Sequence, residues 1–318
     1  MNFKDIKNIN IPEGVVSKIT TLEGVVLWER GVQPDYPDIP NNEIWYTSPY
    51  GVIIKLSLDY SGVQPISNTY ENGIGKMVFE NNLTEIGSYA FYDCLSLKSV
   101  QLPNSVTIIG NSVFKNCQFL ESIQLPNSVT TIGNSAFDYC LNLKSIQLPN
   151  SLTTIGFCAF LACYDLESIQ LPNSVTTIGN GAFTSCKSLT SINIPDSVTT
   201  IGNGVFYECN SLTSIEISSS VTSIGNNTFA FCYELRSIQL PNSLTTIGDK
   251  AFSMCIRLTS IVCKAKQAPE IKSDSFNGVG TDVPEGTPKI LRIPQNAQGY
   301  DTWLNQLGEG WTIEYITE

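Results

Sequence analysis

The chain contains no histidine among its 318 residues. Without histidine there is no Ser-His-Asp or Cys-His catalysis, and the commonest zinc ligand is missing. An enzyme built from this sequence would have to use carboxylates, Lys, Tyr or Cys. The carboxylates near the C-terminal end, such as Asp282, Glu285 and Glu309, are scattered, and we interpret them as solvated surface charge. We therefore expect no catalytic residues and no enzyme activity.

Long apolar runs are also missing from the sequence. No stretch approaches the roughly 20 apolar residues that a membrane-spanning helix needs. The first residues, MNFKDIKNINIPEG, lack the apolar segment of a secretory signal. We expect no membrane insertion. The protein is expected to be virion-associated or to reach a cell surface by another route, and otherwise to stay in the cytoplasm.

Positive charge is scarce, with 18 Lys and Arg against 29 Asp and Glu and a net charge of −11. Nucleic-acid binding draws most of its affinity from basic side chains that neutralise phosphates. An acidic chain without a basic stripe therefore predicts no nucleic-acid partner.

What the sequence has in abundance is repetition. Residues 83–266 contain one 23-residue unit written eight times without insertion or deletion, and the cleanest copy, 129–151, reads VTTIGNSAFDYCLNLKSIQLPNS. A unit this short cannot bury its own apolar face and must stack on its neighbours. The period therefore predicts a repeat solenoid.

Within the copy 129–151, the alternating residues 143–148 predict a main strand, which Pro149 ends. Residues 129–132 predict a second, shorter strand. Gly133 indicates positive φ or a close approach of two backbones, and the apolar spacing of three after it predicts a helical or 3₁₀ turn. We expect a parallel β-sheet on one face, short strands and helical turns on the other, and a cap at each end.

The pattern L-x-x-I-x-L-P…I-G-x-x-A-F-x-x-C resembles the BspA-type leucine-rich repeats of bacterial surface proteins. Residues 289–316 resemble the strand-helix-strand piece that closes such arrays in gut Bacteroides-type proteins. Asp274-Ser-Phe276 is similar to a ninth A-F turn, so 267–318 is expected to hold a degenerate ninth repeat and a C-terminal cap. The resemblance implies recognition of a macromolecule on another surface.

The chain before the repeats divides into three parts. Residues 1–30 predict a small β module, and they resemble short N-terminal attachment modules of phage tail-type and related gut bacterial proteins. Residues 31–42 hold three prolines and are typical of a linker. Residues 43–82 contain strand-like runs, among them 44–47 and 52–58, and are expected to pair onto the first repeat as an N-terminal cap.

Eight of the ten cysteines recur at the repeat period. Neighbouring positions in a stack lie near the Cα distance of a disulfide, but an in-register parallel stack does not bring the Cβ atoms to about 3.8 Å. There is no CxxC pair and no phosphate-binding glycine motif. We interpret the eight as a ladder of small buried side chains and expect no metal and no cofactor. Cys158 and Cys263 lie outside this ladder, and we interpret both as packing residues.

Two surfaces remain as candidate ligand sites. The first, which we call the variable edge, lies on both sides of the ladder cysteine, where the copies differ most and aromatic residues are frequent. We expect its side chains to face solvent, where Tyr is an efficient contact residue for proteins and sugars. Its candidate residues are Tyr92, Phe119, Tyr139, Tyr164, Tyr207, Phe231 and Tyr233.

The second surface is the outward face of the main sheet. Alternating Lys and Glu in adjacent strands predict cross-strand ion pairs, and an amide column is able to hydrogen-bond along the stack. Its candidate residues are Lys98, Glu121, Lys144, Glu167, Gln101, Gln124, Gln147, Gln170 and Arg236.

Three functions follow from these observations. The first is a non-enzymatic recognition module that binds a protein or glycan receptor, in the manner of an adhesin or a receptor-binding protein. The second is a rigid spacer or fibre component of a larger particle such as a phage virion, with a structural partner bound by residues 1–30. The third, a carbohydrate-active enzyme, is disfavoured by the missing histidines and by the lack of a paired carboxylate motif.

Overall fold

The chain divides into two compact units, Met1–Asp38 and Ile39–Glu318. A computed structural model describes residues 18–20, 26–29, 38–57 and 64–316.

In the first unit, the strands Lys18–Thr20 and Val26–Glu29 pair antiparallel as a hairpin. The remainder of the predicted N-terminal module lies outside the described residues, as do residues 31–37 of the predicted linker.

The predicted linker ends earlier than residue 42. Ile39 is buried, and the backbone carbonyl of Asn42 accepts a hydrogen bond of 2.8 Å from the N–H of Phe79. The carbonyl of Asn41 accepts one of 2.8 Å from Leu83. Residues 39–42 therefore belong to the larger unit, because burial and backbone bonds tie them to the first coil.

The larger unit is a parallel β-solenoid in which each 23-residue coil contributes one main strand. Alternation within the strand buries the isoleucine, as at Ile123 and Ile146, and leaves its polar neighbours partly or fully exposed. A bridge between Gln124 and Gln147 joins two sheets of five and eight strands. In sheet order the strands are Ser67–Glu71, Ile74–Val78, Glu43–Thr47, Ser99–Gln101, Ser122–Gln124, then Ser145–Ile146, Ser168–Ile169, Ser191–Asn193, Ser214–Glu216, Ser237–Leu240, Ser260–Cys263, Lys289–Pro294 and Trp311–Ile316.

A second line of two-residue strands runs along the stack, one before the glycine of each Ile-Gly pair and a last one before Lys272. These strands also pair parallel and in register, as Ile132 does with Ile155. They form sheets of five and four strands. In order they are Glu85–Ile86, Ile108–Ile109, Thr131–Ile132, Thr154–Ile155, Thr177–Ile178, then Thr200–Ile201, Ser223–Ile224, Thr246–Ile247 and Glu270–Ile271.

The glycine after each short strand allows the coils to approach closely. A Cβ on Gly133 would lie 2.6 Å from the carbonyl carbon of Gly110, which is closer than any real Cβ contact. The φ angle of Gly133 is not in the left-handed region. Of the two explanations that the sequence left open for this glycine, the close approach is the one the structure supports.

The turn segment, defined as residues 134–140 and their equivalents in the other coils, is not helical. Bonds within the coil, such as Cys140 N–H to Phe137 O at 3.1 Å, alternate with bonds to the next coil, such as Phe137 N–H to Ala159 O at 2.7 Å. Two positions per copy have positive φ, namely Tyr89 and Asp93, Ser112 and Asn116, Ser135 and Tyr139, Cys158 and Ala162, Gly181 and Ser185, Gly204 and Glu208, Asn227 and Phe231, and Lys250 and Met254. The predicted helical turn is therefore replaced by a ladder of turns between coils.

A continuous stack of phenylalanines fills the core beneath the turn segments. Neighbouring rings from Phe91 to Phe276 lie 5.1–5.7 Å apart in near-parallel planes. The ladder cysteines lie beside this stack. The thiol of Cys140 donates to the carbonyl of Phe114 in the preceding coil at 3.1 Å, and the thiols from Cys117 to Cys255 repeat this bond. Cysteine thus contributes both apolar volume and a weak donor between coils.

Both ends of the stack are covered. At the N-terminal end, the strand Glu43–Thr47 pairs antiparallel with Ser99–Gln101 of the first coil. At the C-terminal end, Phe276 is the last ring of the stack, and Trp303 on the helix Asp301–Leu307 packs against it with a ring-centre distance of 5.1 Å. The open end of a solenoid would otherwise expose its core.

Candidate functional site

The variable edge lies along the turn segments and the residues that follow them. Four of its predicted aromatic side chains, Tyr92, Phe119, Tyr139 and Tyr233, are 36–44% exposed. The other three, Tyr164, Tyr207 and Phe231, are partly exposed.

Three of these aromatic residues pack together. The rings of Tyr207 and Phe231 meet edge to face at 5.4 Å, and those of Phe231 and Tyr233 at 6.1 Å. We call these three residues the aromatic cluster. Tyr92, Phe119, Tyr139 and Tyr164 are not in ring contact with it. Ring contacts among the predicted edge residues are therefore found at two consecutive coils.

Two contacts of the edge were missed by sequence reasoning. Tyr89 packs edge to face on Tyr92 at 5.8 Å, and the ammonium of Lys187 lies 4.3 Å from the ring centre of Tyr164. Tyr89 lies three positions before Tyr92 in the same turn segment. That spacing, had the turn been recognised, would have predicted the contact.

Backbone geometry fixes the direction of the edge residues. Tyr139 and Phe231 have φ of 59° and 63°, in the left-handed region that non-glycine residues seldom occupy. The N–H of Tyr139 is bonded to Leu161 O at 2.8 Å and that of Phe231 to Ser253 O at 2.9 Å. These bonds between coils offset the local strain and hold the aromatic side chains on a rigid support.

The expectation that all variable positions face solvent is wrong in four coils. The residue two before the ladder cysteine is buried at Asp138 (4% exposed), Ala230 and Ser253, and the residue one before it is buried at Ala162. Asp138 Oδ2 lies 2.8 Å from the ammonium of Lys115, whereas Asp138 Oδ1 has no hydrogen-bond partner among the described residues. Burial raises the pKa of the Cys158 thiol, and the negative charge of the Asp138 carboxylate raises it further. The residue type at the variable positions therefore depends on buried contacts in some copies, whereas in others it varies because the side chain is exposed.

The outward sheet face has the predicted polar columns but few of the predicted contacts. Of its first four charged side chains, only Lys98 and Glu121 form an ion pair within the described residues, at 3.4 Å. Between Gln124 and Gln170 the described amide side chains form no hydrogen bonds with one another. Arg236 is exposed and its guanidinium lies 3.9 Å from Glu234. The amide groups of Gln124, Gln147 and Gln170 are thus exposed to solvent.

The geometry offers little for covalent chemistry. Burial raises the pKa of Cys209 to about 12 and that of Cys140 well above the ordinary value. The nucleophilic form of cysteine is the thiolate, so these thiols are unreactive near neutral pH. Within the part of the chain that the structure describes, no group of three His, Cys, Asp or Glu side chains has the arrangement of a metal site.

Sequence comparison identifies the family to which this solenoid belongs. The BspA type leucine rich repeat region matches residues 67–189 and 153–281, in six copies. The chain therefore belongs to the BspA-type leucine-rich repeat family. Search of the curated proteins gives no match.

Several solved structures of bacterial leucine-rich repeat proteins are similar to this chain. A leucine-rich repeat protein of T. pallidum is 36% identical over 50% of this chain and 74% of that one, with a TM-score of 0.48. A leucine-rich repeat protein of Bacteroides ovatus is 20% identical over 89% of this chain and 100% of that one, with a TM-score of 0.45. A leucine-rich cell surface protein of Faecalibacterium prausnitzii is 27% identical over 74% of this chain and 77% of that one, with a TM-score of 0.41.

The described residues include no helix that is long and apolar enough to cross a bilayer.

Proposed function

We propose that this protein is a non-enzymatic recognition module that binds a protein on another surface through its variable edge. The observation that carries the proposal is the aromatic cluster, in which Tyr207, Phe231 and Tyr233 pack edge to face at solvent-accessible positions. Tyrosine and phenylalanine provide large contact areas at a low cost in side-chain entropy, and such residues dominate protein interfaces.

The support beneath the cluster favours binding. Phe231 is held at positive φ by a backbone bond to the next coil. A contact residue that is already ordered loses less conformational entropy when a partner binds. Repetition adds further aromatic residues along the same edge, so a long partner gains affinity from several contacts at once.

A non-enzymatic role is supported by the absence of histidine and by the raised thiol pKa values. Membership of the repeat family is consistent with protein interaction. We propose that the protein acts at the surface of a cell or a particle, which is where binding to a second surface takes place.

The test is a protein and glycan array probed with the full chain. Tyr207→Ser combined with Tyr233→Ser should remove the protein signals, because both side chains contribute to the aromatic cluster. Tyr315→Ser is the matched control, since Tyr315 is 65% exposed but lies on the last strand of the main sheet. Thermal unfolding of all variants should be nearly unchanged.

Protein signals that survive in the double variant would move the site to the sheet face, where Lys98, Lys144 and Arg236 are the residues to change next. Signals confined to glycans would replace the proposed ligand class. A silent array, together with binding of a structural partner by residues 1–30, would favour the alternative function as a spacer or fibre component. That alternative draws on the unbroken hydrogen-bonded stack of coils.

A further inference from the structure

The variable edge already holds one cation on an aromatic ring. The ammonium of Lys187 lies 4.3 Å from the ring centre of Tyr164, which belongs to the preceding coil. Lys187 forms no ion pair within the described residues. The negative face of the ring attracts the ammonium electrostatically. An aromatic side chain of this edge is therefore able to hold an ammonium without a carboxylate partner.

The same position three coils later holds Tyr233, but its ring has no such partner. The coil after Tyr164 supplies Lys187 at the equivalent position, whereas the coil after Tyr233 supplies Ile256. In the part of the chain that the structure describes, no ammonium or guanidinium is in cation–π contact with a ring of the aromatic cluster. A cation that binds the Tyr233 ring therefore comes from outside the stack of coils.

A carboxylate lies beside the aromatic cluster. Glu208 follows Tyr207 in the chain and occupies the position of Phe231 one coil earlier. Burial raises the pKa of the Tyr207 hydroxyl, and the negative charge of Glu208 and the nearby Tyr233 raise it further. The carboxylate and the two hydroxyls are thus close together, and they offer hydrogen-bond acceptors to a cationic group.

Glu208 is the carboxylate that a ligand is able to use. Its Oε2 accepts a hydrogen bond of 3.0 Å from the hydroxyl of Ser185, and it forms no ion pair within the described residues. Glu234, which is also next to the cluster in the chain, is instead paired with Arg257 and lies 3.9 Å from Arg236. A partner that covered Glu208 with apolar groups alone would bury an unpaired charge, which is costly. A partner that brings a cation avoids this cost.

Backbone bonds hold these groups in place. Glu208 has a φ of 58°, and its N–H donates to Ala230 O at 2.9 Å. The side-chain amide of Asn210 donates to Phe231 O at 3.0 Å. A site whose backbone is already ordered loses less conformational entropy when a ligand binds.

We infer that the aromatic cluster and Glu208 together bind a lysine side chain of the partner protein. This inference rests on the proposed function and names the chemistry that the partner presents. The ammonium of the partner's lysine side chain contacts the ring of Tyr233, as Lys187 contacts Tyr164, and it pairs with the carboxylate of Glu208. The net charge of −11 favours the approach of such a basic segment.

The test uses a fluorescein-labelled peptide of alternating lysine and serine, titrated with the full chain and followed by fluorescence anisotropy. We expect saturable binding that weakens with salt, and none for the same peptide with acetyl-lysine in place of lysine. Glu208→Gln should weaken binding by about fivefold or more. Glu216→Gln makes the same change of charge at an exposed position of the main sheet and should have little effect.

A second pair of variants tests the ring. Ile256→Lys places a lysine after Tyr233, as Lys187 follows Tyr164, and the new ammonium should compete with the peptide for the ring. Thr213→Lys adds the same charge on the sheet face and should weaken binding much less. Tyr207→Leu combined with Tyr233→Leu keeps apolar side chains but removes two aromatic faces, and should weaken binding by about tenfold. Thermal unfolding separates loss of binding from loss of folding.

Equal loss in Glu208→Gln and Glu216→Gln, binding of the acetylated peptide, or no saturable binding of the lysine peptide overturns the inference. Binding of phosphatidylcholine vesicles without binding of the peptide also overturns it, in favour of a choline headgroup. The protein array separates this result from the proposed function. Signals that vanish in the Tyr207→Ser, Tyr233→Ser variant but persist in Glu208→Gln would leave protein recognition in place without the lysine. Signals that persist in both variants would contradict the proposed function itself.

Discussion

The ammonium of Lys115 lies 2.8 Å from Asp138 Oδ2, and the two residues occupy the same position in consecutive repeats. The Asp138 side chain is 5% exposed and that of Lys115 is 35% exposed. The carboxylate is therefore buried with one counter-ion, while its second oxygen has no partner among the described residues.

Lys115→Ala should destabilise the protein by about 3–5 kcal/mol, because it leaves a buried carboxylate without a counter-ion. The double variant Lys115→Ala, Asp138→Ser should recover most of this loss, since Ser253 is buried at the equivalent position of the last repeat. Urea unfolding measures both. Equal stabilities of the single and the double variant would show that the ion pair with Lys115 does not offset the free-energy cost of burying Asp138.

Two glycines at one repeat position should respond differently to alanine. A Cβ on Gly179 would meet backbone, with Gly156 C at 2.5 Å and Phe157 N also in conflict. A Cβ on Gly202 would meet the carboxamide oxygen of Asn180, a movable side-chain atom, and its next backbone neighbour is 3.6 Å away.

Gly179→Ala should therefore cost about 3 kcal/mol or more and Gly202→Ala about 1 kcal/mol. Chemical denaturation of the two variants gives the comparison. If Gly202→Ala lowers the free energy of unfolding as much as Gly179→Ala does, the close approach of two backbones is not what excludes a side chain at this repeat position.

Stability should fall steeply in alkaline solution because burial raises the pKa of the ladder thiols, to about 12 for Cys209. Each such thiol stays protonated in the folded chain while it ionises in the unfolded chain above about pH 8.5. The unfolded state then binds fewer protons, so the free energy of unfolding falls by about 1.4 kcal/mol per pH unit and per thiol between those two pKa values.

Cys209→Ala should reduce this slope by about 1.4 kcal/mol per pH unit, the contribution of one thiol. It should also lower the stability at pH 7. Unfolding free energies measured from pH 7 to 10 test the effect. An unchanged slope in Cys209→Ala would mean that this thiol ionises as readily in the folded chain as in the unfolded one.

Tyr139 offers a test of the left-handed backbone at an exposed site, since it is 44% exposed with φ of 59°. Asparagine tolerates this conformation and occupies the equivalent position at Asn116, whereas a β-branched residue does not. Tyr139→Asn should be more stable than Tyr139→Val by about 1–2 kcal/mol. Matching unfolding midpoints for the two variants would indicate that the turn segment relaxes away from positive φ.

The repeat pattern allowed the strands and the core to be predicted from the sequence, but not the turn segment. In one copy, the spacing of Ala136, Phe137 and Cys140 matches a helical turn. The observed conformation depends on acceptors in the next coil, such as Ala159 O and Leu161 O, and a pattern within a single copy does not contain them.

Two further differences have local causes. Residues 52–58 were expected to form a strand because of their apolar content. Instead, the described part of this segment covers the first coil, where Ser57 N–H donates to Ala90 O at 3.0 Å. At Asp138, variation was interpreted as exposure. Its partner Lys115 lies one full repeat earlier, so reading down the column of equivalent positions would have revealed the pair.

The equivalence of the coils has a consequence for how such a protein changes over time. Residues 134–156 form one full period, and their removal would join Gly133 to Phe157 with every neighbouring coil still meeting a coil of the same chemistry. Removal or addition of one whole period therefore keeps the remaining coils in register. Such a change alters the distance between the two caps by one strand spacing, about 4.8 Å, and leaves the aromatic cluster intact. The separation of the two caps therefore depends on the number of coils and not on the residues of the proposed binding edge.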